Sequence, residues 1–141
     1  MILMTRDSDY PGLLERVRGR RVTVWTCNTC ARLCGGIGGS ESASRLADAL
    51  SSDGVDVLGT VSTSASCLMS KAKRCASEVH PDTDLVVALC CDMGALCASR
   101  CLGSEVLNPV VTVCPGILSA DGTPLLPSGG PLEDPFLGPY R

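Results

Sequence analysis

The sequence predicts an α/β fold: a Rossmann-like or flavodoxin-like parallel sheet of about four strands with flanking helices. Three observations carry that expectation. Four short runs, at residues 21 to 27, 55 to 61, 84 to 90 and 109 to 114, are rich in β-branched and apolar residues. Segments with apolar residues at helical spacing separate them, and this alternation points to βαβ crossovers in a doubly wound sheet. Three of the runs end in a cysteine and the remaining one reaches Cys67 after a short Ser/Thr loop, so the carboxyl ends of the strands share one chemistry.

Each element has its own signal. Ser8-Asp9-Tyr10-Pro11 reads as a helix start, with Leu13, Leu14 and Val17 on one face before Gly19. Residues 21 to 27 form the first strand. Gly35, Gly36, Gly38 and Gly39 then break the chain, after which Ser40 offers a cap and Glu41 a negative charge in the first turn of a helix. Ala43, Leu46, Ala47 and Leu50 should face inward along it until Gly54. Residues 55 to 61 make a second strand, and a helical stretch runs from Cys67 through Val79 to the His80-Pro81 break. Residues 84 to 90 are nearly all apolar, as a central strand covered on both faces should be. Residues 93 to 102 give another helix and 109 to 114 a fourth strand.

Residues 1 to 114 thus read as one cysteine-rich α/β domain. From 115 to 141 the composition changes, with six of the nine prolines, five glycines and no helical or strand period. This stretch reads as a Pro/Gly-rich tail that Phe136, Leu137 and Tyr140 could anchor to a partner.

Ten cysteines in 141 residues are far more than ordinary usage, yet a chain of this length can bury a core without crosslinks. The N-terminus reaches charged residues at once and lacks an apolar stretch of signal-peptide length, so the expected location is the cytoplasm. In a reducing compartment, clustered cysteines point to metal binding or redox chemistry rather than to disulfides. No apolar run approaches the roughly 18 residues needed to span a membrane. A net charge of -3, no basic block and four aromatic residues argue against a nucleic-acid partner.

The strand-end cysteines are Cys27, Cys67, Cys90 with Cys91, and Cys114, all expected on one rim of the sheet. Cys30 and Cys34 lie in the loop after the first strand, where Gly35 and Gly36 let the backbone wrap closely around a bound centre. Soft thiolates select zinc, Cu(I) or iron-sulfur clusters, and a 4Fe-4S cluster needs four of them. A local Cys-x2-Cys-x3-Cys with one distant cysteine meets that count. Zinc bound by four cysteines is the alternative, but a second Cys-x2-Cys pair is absent. A thioredoxin-like thiol exchange fits less well because the third cysteine follows so closely. The glycine-rich turn lacks the Gly-Lys-Ser/Thr ending of a phosphate loop. Cys75, Cys97 and Cys101 fall in helical segments and read as small buried hydrophobes. Arg32, Lys71, Lys73 and Arg74 supply cations near the thiols. His80, the only histidine, is placed on the opposite rim, which argues against His-dependent catalysis.

The run Cys27-Asn-Thr-Cys30-Ala-Arg-Leu-Cys34-Gly-Gly, the lone Cys67 after the second strand and Leu89-Cys90-Cys91-Asp-Met-Gly94 after the third resemble a known pattern. It is that of the MetV family, the small cysteine-rich subunit of two-subunit methylenetetrahydrofolate reductases. The resemblance covers roughly residues 10 to 120. It implies Cys27, Cys30, Cys34, Cys67 and Cys91 as cluster-side cysteines, five candidates for four places, with Cys90 able to exchange roles with Cys91. It also implies an electron-transfer role without catalysis by this chain alone, next to a flavin-containing catalytic subunit and possible further electron-transfer subunits. A zinc-stabilised interaction module is the other expectation. Longer relatives continue into a further cysteine-rich section, and this chain ends instead in its Pro/Gly stretch, so no second centre is expected there.

Overall fold

The computed structural model describes residues 1 to 6 and 9 to 132. The chain opens on a strand for which the sequence carried no signal, β1 (Ile2–Arg6). Helix α1 (Tyr10–Val17) follows, capped by Asp9, whose carboxylate accepts from the Gly12 amide at 2.9 Å, with Pro11 in the first turn. Ser8, part of the expected helix start, lies outside the described residues, as do Phe136, Leu137 and Tyr140.

Strand β2 (Arg21–Cys27) buries six of its seven side chains. It leads through the one-turn helix α2 (Cys30–Leu33) to α3 (Ser40–Ser52), which turns Ala43, Leu46, Ala47 and Leu50 inward as their spacing predicts. Ser40 is not the cap. Gly39 holds that position with φ of 94°, a left-handed conformation open to glycine, and Ser40 instead donates its amide and hydroxyl to Asn28 Oδ1 at 2.9 and 3.1 Å. Strand β3 (Asp56–Thr63) comes next, then α4 (Met69–Ala76), which stops short of the expected Val79. Strand β4 (Leu85–Leu89) is buried along its whole length, and α5 (Asp92–Cys101) returns the chain to β5 (Glu105–Leu107).

These strands form a parallel sheet in the order β3-β2-β4-β5. Helix α3 packs on β2 and β3, while α4 and α5 pack on each other and against the sheet. The mixed α/β, Rossmann-like or flavodoxin-like fold expected from the sequence is therefore present, with one reassignment. Residues 109 to 114 are not its fourth strand. All but Pro109 lie in β6 (Val110–Pro115), which runs antiparallel to β1 in a separate two-stranded ribbon. The burial pattern gives the reason: β6 alternates between covered and open side chains, whereas a strand of the parallel sheet must be covered on both faces, as β4 is.

Beyond the ribbon, where no strand period was legible, β7 (Ile117–Leu118) and β8 (Pro124–Leu125) form a short antiparallel hairpin. No helix among the described residues is long and apolar enough to cross a membrane.

Candidate functional site

From β2 the chain moves to the neighbour on one side, β3, and then to the neighbour on the other side, β4. The carboxyl ends of β2 and β4 are therefore the topological switch point, where open α/β sheets form their ligand crevice. Cys27 ends β2, Cys30 opens α2 just beyond it, and Cys90 and Cys91 follow β4. Cys67 lies on the loop between β3 and α4. The crevice that topology creates is a crevice of thiols.

Local hydrogen bonds hold these loops. The Asn28 amide donates to Thr63 O at 2.8 Å and the Thr29 hydroxyl donates to Ser64 O, tying the exit of β2 to that of β3. The buried Thr26 hydroxyl accepts from the Gly39 amide at 2.7 Å and donates to Leu89 O at 3.0 Å, linking the end of the glycine turn to β4. That turn passes so close that a Cβ on Gly38 would meet Ala31 Cβ at 2.6 Å and Leu89 O at 2.8 Å. Only glycine lets it lie there.

Cys91 is the N-cap residue of α5, and its side chain makes no cap hydrogen bond. Burial raises the pKa of its thiol first, the amides of Gly94 and Met93 pull the other way, and neighbouring Cys67 and Cys30 disfavour the thiolate. Cys91 thus stands within reach of the charge of Cys67 and of Cys30. Cys27 acts on buried Cys90 and Cys75, and Cys91 acts on Cys90 ahead of it, so the two groups of thiols are joined. Burial dominates for both Cys90 and Cys75, raising Cys90 strongly and pushing Cys75 up to about 12, with Cys27 among the lesser causes each time.

Cys34 behaves differently. Its fully buried sulfur faces β1, accepting from the Met4 amide at 3.5 Å and donating to Met4 O at 3.3 Å. Burial raises its pKa, and Cys30 adds to the rise. Two residues along β1, the Ile2 amide donates to Cys30 Sγ at 3.4 Å. One strand thus supplies backbone donors to both sulfurs of α2.

Comparison with protein-family models, with curated proteins and with solved structures returns no match for this chain. The chemistry must be read from the residues.

Cys27, Cys30, Cys67, Cys90 and Cys91 lie at the carboxyl rim; Cys34 is turned from it into the seam with β1. Cys114 is not on the rim: it pairs opposite Leu3 in the ribbon. Cys97 and Cys101 are half-buried along α5, and His80 lies in the loop entering β4, at the opposite end of the sheet. Arg32 donates from Nε to Asn28 O at 2.9 Å. Among the described residues no three Cys, His, Asp or Glu side chains stand close enough to hold a metal ion as they are. In donor type, the thiols of Cys27, Cys30, Cys67 and Cys91 fit a soft centre, and holding one requires their side chains to turn in from these positions.

Trp25 and Ser66 support the site and were not singled out in the sequence. The buried indole Nε1 donates to Ser66 Oγ at 3.0 Å, and Ser66 donates to Gly94 O at 2.9 Å, joining β2, the Cys67 loop and the start of α5. The available signal was the lone tryptophan in an apolar strand, since a buried indole N–H needs a partner.

Proposed function

We propose that this chain is an iron-sulfur electron-transfer subunit that holds one 4Fe-4S cluster between the exits of β2, β3 and β4. Its partner in this reading is the flavin-containing catalytic subunit of a methylenetetrahydrofolate reductase. The single observation behind the cluster is the donor set at the switch point: thiols from three separate strand exits, with no histidine among them. When bound, such a centre supplies a one-electron relay.

Cys27, Cys30, Cys67 and Cys91 are the ligands in this reading, and Cys34 anchors the cysteine helix to β1. The glycine turn lets the backbone follow closely, and the Ile2 amide at Cys30 is a sulfur hydrogen bond of the kind that tunes such centres. Leu68 and Met69 at the start of α4, and Met93 and Leu96 at the start of α5, are exposed apolar side chains beside Cys67 and Cys91. Exposed apolar side chains so near the cysteines in sequence support docking of a protein partner there. The choice of the folate enzyme rests on the resemblance of the cysteine loop.

Anaerobic purification should yield about four iron and four acid-labile sulfide per chain, the composition of one cluster. One equivalent of zinc without sulfide overturns the reading in favour of a zinc-stabilised interaction module.

A further inference from the structure

A second concavity opens beside the exit of β3, about 460 Å3 in volume and walled by that exit and by α4. Lys71 and Arg74 line it from the helix, and Ser62, Ser64 and Ser70 bring hydroxyls from the strand end and the first turn of the helix. Neither cation makes an ion pair among the described residues. Glu78 also lines the cavity, four positions after Arg74, without closing the bridge that spacing allows. Two cations and a carboxylate are thus left facing one space.

We propose that this groove binds a small phosphomonoester whose organic body carries hydroxyl groups. The charges select the head group: a planar guanidinium and an ammonium suit the several oxygens of a phosphate dianion, and serine hydroxyls complete its hydrogen bonds. Glu78 selects the body, as an acceptor for ligand hydroxyls. The volume falls in the range of small-molecule sites, larger than a bare phosphate requires. No aromatic side chain lines the groove to stack a nucleobase. The groove adjoins the thiol crevice at the exit of β3, with Thr63, Ser64 and Cys75 in its lining, and its charged groups are Lys71, Arg74 and Glu78 rather than thiols.

Titration calorimetry with ribose 5-phosphate at fixed ionic strength tests this, with ribose and inorganic phosphate as comparison arms. Saturable binding of ribose 5-phosphate is expected, with phosphate about tenfold weaker and ribose alone silent. Lys71→Ala and Arg74→Ala should each weaken it about tenfold, as loss of one charge-assisted contact does. Both side chains are exposed, so thermal melting of each variant should match the parent. Absence of saturable binding, unchanged affinity in both variants, or equal affinity for inorganic phosphate overturns the proposal.

Discussion

Replacing Cys91 by serine should reduce iron and sulfide in the anaerobically purified protein to below about one tenth of the parent value, because a cluster needs four thiolates. Cys34→Ser should leave both near the parent level. The contrast follows from where the two sulfurs lie. Cys91 is half-buried at the switch crevice, where burial raises its pKa, the amides of Gly94 and Met93 offset part of that rise, and Cys67 and Cys30 are near enough to add to it. Cys34 already has a donor and an acceptor in Met4 of β1, and a serine hydroxyl can replace both contacts. Metal analysis of the two variants side by side gives the answer. Retained iron in Cys91→Ser with loss in Cys34→Ser would put Cys34 in the ligand set and require β1 to move aside.

Trp25→Ala should cost about 3–5 kcal/mol, the range for deleting a large buried aromatic side chain. That is a large share of the stability of a domain this size, typically ~5–15 kcal/mol. The indole is fully buried in β2, and its loss also strips Ser66 of its donor. Trp25→Phe keeps most of the packing and loses only the N–H, so it should cost less, about 1–3 kcal/mol. Urea unfolding followed by circular dichroism measures both, since the alanine variant has no tryptophan left to report. Equal midpoints for the two variants would mean that the hydrogen bond, not the ring, carries the effect.

The parallel sheet was legible because its elements are local. The helical spacing of Ala43, Leu46, Ala47 and Leu50 and the unbroken apolar run of β4 each follow from a dozen residues or fewer. Pairing is not local. The β-branched composition of residues 110 to 113 predicts a strand but says nothing of its partner, and β1 lies at the far end of the chain. Ile-Leu-Met-Thr-Arg becomes a strand through tertiary context, which outweighs propensity in short segments. β5, the true fourth strand, is three residues long, below what a periodic pattern can reveal. The same limit applied at the site. The cysteines at the ends of β2 and β4 could be assigned to one rim from strand direction alone, whereas the diversion of Cys34 depended on a strand the sequence did not announce.

The β1 and β6 ribbon carries a consequence for the order in which the molecule assembles. Ile2 faces Pro115 and Arg6 faces Val110, so the pairing joins the first strand to one that comes after the whole parallel sheet. Closing a loop of roughly 110 residues costs on the order of 4 kcal/mol of chain entropy, whereas the parallel pairs join segments nearer in sequence, across one crossover for β2 with β3 and β4 with β5 and two for β2 with β4. The ribbon is therefore expected to form last and to open first, uncovering the sulfurs of Cys30 and Cys34 while the rest of the sheet stays folded. Native-state hydrogen exchange should find the Met4 amide opening at a lower free energy than that of Val24, and equal values would tie the ribbon to the sheet as one cooperative unit. A late-closing ribbon would give any centre bound there, as we propose, a kinetic window for insertion: the cysteine helix is in place before the strand that covers it.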